Sequence, residues 1–175
     1  MIALTATWLM CSQLVLLAQA TKPSRLINAW TSQSSIRAWS ATYYFTIEVG
    51  TNTRNPVTKV VLNQYDGLDT IKFYVQQSEV FAGDRSNPGA RLPLQSVVAD
   101  PQTRTVTIQF EQPVPPGQRF TIALNPTENP DTAGIYQFGI TIFSQPEQQR
   151  GLFLGFGRLH FYDGGGSDLL LRWRR

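Results

Sequence analysis

Cysteine is almost missing from this chain. Its 175 residues include one, Cys11. Cys11 lies inside an apolar N-terminal run, after Trp8-Leu9-Met10, which is the wrong context for a lipoprotein cleavage site. One thiol closes no intrachain disulfide, and if that run is removed, thiolate metal ligands and cysteine nucleophiles leave with it. Histidine is equally scarce, with His160 standing alone. One histidine without cysteine cannot build a typical zinc or copper centre. A Ser-His-Asp relay would have to pass through His160, and its setting, Gly157-Arg158-Leu159-His160-Phe161-Tyr162, reads as a strand carrying a structural histidine. No metal site, catalytic residue or cofactor is therefore assigned.

Charge is also sparse. Charged residues make up 15% of the chain, and the net charge is only +3. The basic residues are nearly all arginine, with Lys22, Lys59 and Lys72 the only lysines, and they are dispersed. A nucleic-acid surface needs a clustered basic stripe, so no nucleic-acid partner is expected. No window of helical length has a clean apolar 3.6-residue period. Gly155-Phe156-Gly157 is not a nucleotide fingerprint, because His160 stands where the third glycine belongs and no strand-to-helix context follows. Oxygen-only calcium binding stays open through Asp66, Asp69, Glu79, Asp84 and Asp131, whose spacing fits no EF-hand and suits ordinary turn carboxylates better. The twelve acids also leave open a carboxylate pair suited to glycan hydrolysis, although sequence promotes no pair over another.

What is present is apolar and strand-forming. Hydrophobic residues are 42% of the chain. Residues 1–20 contain no charged side chain and end in Ala18-Gln19-Ala20, a small-residue cleavage pattern. They read as a secretory signal cut before Thr21, with one departure: the only positive charge at its start is the terminal amine. Ser12, Gln13 and Gln19 interrupt the run and disfavour a membrane span.

Period-two alternation dominates the rest. Tyr43, Phe45, Ile47 and Val49 alternate with Tyr44, Thr46 and Glu48. Thr70–Gln76, Thr105–Phe110 and Arg119–Leu124 alternate in the same way. Thr58–Gln64 is a β-branched run, Leu94–Ala99 a candidate strand, and Gly134–Ser144 a segment holding Ile135, Phe138, Ile140, Ile142 and Phe143. Leu152–Tyr162 is a stretch dense in aromatics and glycine, and Arg25–Trp30 reads as a first strand. Ala82-Gly83-Asp84 and Asn87-Pro88-Gly89 read as one long loop, and Asp100-Pro101 as a type I turn. Strands 8–12 residues apart with Pro/Gly turns point to a single antiparallel, immunoglobulin-like β-sandwich of about seven to nine strands over residues 21–162. No Cys pair flanks a Trp, so the antibody-type core is excluded. Residues 163–175 form a Gly-rich, basic tail whose Trp173 and arginines suit contact with an anionic membrane surface.

With these segments laid out, the chain resembles a family known mainly from cyanobacteria, domain of unknown function 2808. The residues carrying the likeness are Ala41-Thr42-Tyr43-Tyr44-Phe45-Thr46-Ile47, Asp69-Thr70-Ile71-Lys72-Phe73, Pro115-Pro116-Gly117, Gly134-Ile135-Tyr136-Gln137-Phe138-Gly139 and Gly155-Phe156-Gly157-Arg158-Leu159-His160-Phe161-Tyr162. The resemblance implies an exported envelope protein and supplies no reaction or site.

The expected role is that of a periplasmic or extracellular protein that binds an envelope protein or glycan without catalysis. A glycan hydrolase and a self-associating surface component are the alternatives, and the oligomeric state is left open. The candidate binding residues are Arg158, His160 and Tyr162. If they form a surface, Arg158 and His160 point outward while Leu159 and Phe161 point inward. Tyr44 and Tyr74 are further aromatics expected outside the core.

Overall fold

A computed structural model describes residues 22–53, 55–145 and 150–164. The candidate signal, Cys11 and the tail beyond Gly164 lie outside the described residues. The fold is the expected all-β, immunoglobulin-like sandwich, made of two five-stranded antiparallel sheets. The strands are β1 (Arg25–Thr31), β2 (Tyr43–Glu48), β3 (Val57–Asp66), β4 (Glu79–Asp84), β5 (Asn87–Arg91), β6 (Leu94–Asp100), β7 (Thr105–Val114), β8 (Arg119–Leu124), β9 (Gly134–Phe143) and β10 (Leu152–Phe161). The first sheet has the order β1-β2-β8-β4-β5 and the second β10-β9-β3-β7-β6.

The alternating rows become the core. Tyr43, Phe45 and Ile47 of β2, Phe120, Ile122 and Leu124 of β8, Val60 and Leu62 of β3, and Tyr136, Phe138 and Ile140 of β9 are all buried. Aromatic rings cross the interior edge to face: Phe45 and Phe138 lie 5.4 Å apart, and Phe110 and Phe120 5.5 Å.

Two expectations are corrected. Residues 82–89 are not an open loop but the turn of a hairpin, β4 and β5, which raises the strand count to ten among the described residues. Asp84 Oδ1 accepts hydrogen bonds from the Ser86 and Asn87 N–H groups and builds the turn locally. Pro88 is tolerated because β5 is an edge strand. Conversely, Thr70–Gln76 is not a strand. It has one isolated bridge, Phe73 to Pro126, and then a 3₁₀ turn over Val75–Gln77. Its alternation is real, since Ile71 is buried and Lys72 exposed. Its backbone is satisfied elsewhere: the Ile71 N–H donates to Gln64 Oε1, the Tyr74 N–H to Asn125 O, and the Thr127 N–H to Lys72 O. The segment links the two sheets, so a period-two row can face the core without a ladder partner.

The outer surfaces differ. The turn of the β4–β5 hairpin reaches over the outside of the first sheet. Thr121 is fully buried and donates to Gly83 O, Asp84 pairs with Arg119, and the Arg85 guanidinium lies 3.9 Å from the Trp30 ring centroid. The outside of the second sheet instead displays Tyr65, Phe153 and Phe156, with Phe156 5.1 Å from each of the other two rings.

Candidate functional site

Strand β10 sorts its residues by parity. Leu159 and Phe161 face the core and are each 1% exposed, whereas Arg158 and His160 are exposed, as expected from the alternation. The strand also bulges. Its register against β9 shifts between Phe153 and Gly155, and Gly155 takes φ +126, a value that L side chains rarely adopt. The bulge sets the parity from Phe156 onward, putting Phe156, Arg158 and His160 in the outward row.

Each of β1 and β10 is the edge strand of its own sheet. They come together at Gly157, where a Cβ would stand 2.7 Å from Ala29 Cβ and 3.2 Å from the Phe45 ring. Only glycine allows that approach. Beside the contact an open groove of about 480 Å³ runs between the two edges. Trp30, Thr31 and Ser32 line it from β1 and the chain that follows; Arg158, His160 and Tyr162 line it from β10 and just beyond.

The walls are held in place. The Tyr162 N–H donates to Ser34 O at 2.8 Å and the Ile36 N–H to Tyr162 O at 3.0 Å, which ties the end of β10 to the loop after β1. Beneath that loop lies Asn129, 3% exposed. Its Nδ2 donates to Gln33 O and Ser35 O at 3.0 and 2.7 Å, and its Oδ1 accepts from the Tyr43 hydroxyl at 2.9 Å. Burial holds the Tyr43 phenol well above the ordinary tyrosine range, so it stays a donor. On the opposite wall the His160 and Tyr162 rings lie within 28° of parallel with centroids 6.4 Å apart. Trp30 leans on the half-buried Tyr44 at 5.6 Å. Tyr162 is 59% exposed, and Arg158 makes no ion pair among the described residues.

The structure thus brings Arg158, His160 and Tyr162 together and adds Trp30, Thr31, Ser32 and Ser34, which sequence reasoning missed. Trp30 was visible as one aromatic among many. Its position opposite β10 depends on a pairing of edges about 130 residues apart, which no local pattern encodes. Tyr74 is exposed as expected but lies elsewhere, beside Trp39.

Chemically, the groove offers aromatic faces, hydroxyls and one guanidinium. That set suits stacking and hydrogen bonding to a sugar ring or an extended peptide. Described acids do not line it. Elsewhere, the carboxylates whose pKa departs from ordinary all move down, away from what a general acid needs. Hydrogen bonds from Arg119 and then Arg25 lower Glu48. Burial raises Asp69, but the Thr132 N–H and Tyr136 hydroxyl outweigh it. The Thr103 hydroxyl lowers Asp100. The former calcium candidates have partners of their own: Asp66 accepts the Gly67 N–H, Glu79 pairs with Arg91 and Asp131 with Arg37. Among the described residues no three acids, histidines or cysteines are grouped to hold a metal ion.

A family model described as "Protein of unknown function (DUF2808)" matches residues 16–161. The chain belongs to that family. The DUF2808 match takes in β1 and all of β10, so both edges of the groove fall inside it, while Tyr162 lies one residue beyond. No curated protein matches the chain in sequence. Similar solved structures include the RrgA Jo.In complex, 10% identical over 79% of this chain and 78% of that one, with a TM-score of 0.48. The C-terminal domain of the Streptococcus pyogenes antigen I/II-family protein AspA is 14% identical over 77% of this chain and 46% of that one, with a TM-score of 0.44. The collagen-binding domain from a Staphylococcus aureus adhesin is 9% identical over 78% and 98%, with a TM-score of 0.38. This DUF2808 chain therefore spans less than half of the AspA domain, and at these identities the likeness is one of fold.

Proposed function

We propose that this protein is exported and binds another component of the cell envelope, a glycan or a protein, without catalysis, through the groove between β1 and β10. One observation carries the reading: Arg158, His160 and Tyr162, none of them needed for the core, converge with Trp30 on one concave surface. Export rests on the uncharged run 1–20 and its Ala18-Gln19-Ala20 ending. The Gly-rich, basic composition of residues 163–175 suits contact with an anionic membrane surface.

The test is co-sedimentation of the purified protein with isolated cell envelopes and with their separated glycan and protein fractions. Saturable binding to one fraction, lost in an Arg158→Ala/His160→Ala/Tyr162→Ala variant that keeps its melting temperature, is the expected result. Equal binding by the variant would move the site off the groove. N-terminal sequencing of the exported protein should begin at Thr21.

A second reading, association between copies of this chain, draws on the outer face of the second sheet, where Tyr65, Phe153 and Phe156 are 70%, 51% and 42% exposed. Sedimentation equilibrium decides it: a concentration-dependent dimer abolished by Phe156→Ser supports it, and a monomer at high concentration removes it.

A further inference from the structure

A second concavity shares no lining residue with the groove. The segment linking the two sheets, Ile71 to Val75, faces the β6–β7 turn across a cavity of about 360 Å³. Its interior is made by Leu62, Ile71, Phe73, Val106 and Phe138. Among the described residues Gln64 is the one buried polar side chain in the wall, and its amide is already engaged: Nε2 donates to Asp69 O at 2.6 Å and Oε1 accepts the Ile71 N–H at 2.9 Å. The interior therefore rewards an apolar occupant, because a polar one would lose its hydration without finding a partner.

The cavity's exposed residues carry charge of mostly one sign. Lys72 and Arg104 are exposed there, with Asp100 as the counter-charge. The Asp100 oxygens are committed to their own turn, accepting the Gln102 N–H at 2.9 Å and the Thr103 hydroxyl at 2.8 Å. Among the described residues Lys72 has no ion pair, and the Arg104 guanidinium makes only a long 3.5 Å contact with Gly67 O. Arg104 also adopts φ 53, an uncommon conformation for a residue other than glycine. An apolar interior with two under-used cations beside it fits a molecule with one alkyl chain and one negative head. The volume holds about a dozen water-sized groups, which is the size of decanoate.

We propose that this cavity binds a medium-chain fatty acid, its alkyl chain against Leu62, Val106 and Phe138 and its carboxylate between Lys72 and Arg104. The inference stands independently of the groove and adds a small-molecule site to the protein.

Isothermal titration of the purified protein with decanoate, below its micellar concentration, tests it. Saturable one-to-one binding is expected, weakening about fourfold for each methylene removed toward octanoate. Decylamine, with the same chain and the opposite charge, should bind about tenfold more weakly or worse. Two variants locate the site. Ala99→Phe fills the cavity and should abolish binding. Lys72→Glu/Arg104→Glu changes only exposed side chains and should weaken decanoate about tenfold or more while the melting temperature holds; it keeps the test decisive if Ala99→Phe fails to fold. The Arg158→Ala/His160→Ala/Tyr162→Ala variant should bind decanoate like the wild type. Absent saturation, equal affinity for decylamine, or unchanged binding by the charge-reversed variant would overturn the proposal.

Discussion

The inward and outward rows of β10 are interleaved in the same ten residues and do opposite work. Gly157, Leu159 and Phe161 face β1 or the core. Phe161 alone packs against Tyr43 and Tyr136, at ring separations of 5.6 and 5.4 Å. Arg158 and His160 stand one residue away from these groups and touch little of the core. The first row is constrained by volume and the second is not. The difference teaches where selection for binding can act without cost to folding: on side chains whose neighbours already hold the strand.

Substitutions in the two rows should separate stability from binding. Phe161→Ala empties a fully packed site and should cost about 3–5 kcal/mol, lowering the melting temperature by about 10–20 °C; calorimetry reads it. Asn129→Ala strips the Tyr43 hydroxyl and two loop carbonyls of their shared partner, at about 2–3 kcal/mol. Because it also releases the Gln33–Ser35 wall, it should weaken envelope binding as well, which makes it the one variant expected to cross between the rows. Gly157→Ala forces a methyl into the 2.7 Å gap to Ala29, at about 1–3 kcal/mol. Arg158→Ala and His160→Ala should each stay within about 0.5 kcal/mol of wild type while reducing binding. A stability loss from either comparable to that of Gly157→Ala would erase the distinction between the rows.

Acid should act on the fold through two carboxylates. Glu48 and Asp69 have folded pKa values below their ordinary 4.5 and 3.8. The stability they contribute is complete above those ordinary values and is lost as pH falls through the lower folded ones. Melting temperature should therefore fall below about pH 4.5, and Glu48→Gln should flatten that fall. At the alkaline end, burial and then the hydrogen bond with Asp69 push Tyr136 up to about 12. The stability it contributes is complete below 10.0, its ordinary value, and lost as pH rises through about 12. Spectrophotometric titration should show Tyr43 and Tyr136 ionising only as the fold is lost.

Much of this was legible from residue order alone. The core rows of β2, β7 and β8 follow from alternation, because a pleated strand with one face buried must be apolar at every second position. The same rule put Leu159 inside and His160 outside. It failed at Thr70–Gln76, where the alternation serves a crossing segment whose N–H groups bond to Gln64 and Asn125 instead of a neighbouring strand. It also failed at β4–β5, whose Gly83, Asn87, Pro88 and Gly89 have loop composition but lie at an edge that tolerates them. Of the groove, only the β10 wall could be read. Trp30 and the serine-bearing loop meet it through an approach set by two glycine hydrogens, which depends on the whole sandwich being assembled.

Hydrogen–deuterium exchange with and without the bound envelope fraction is the most direct measurement. New protection confined to Trp30–Ser34 and Arg158–Tyr162 is expected if the groove is the binding surface. Protection centred instead on Tyr65, Phe153 and Phe156, or on the β4–β5 hairpin, with 158–162 unchanged, would contradict it.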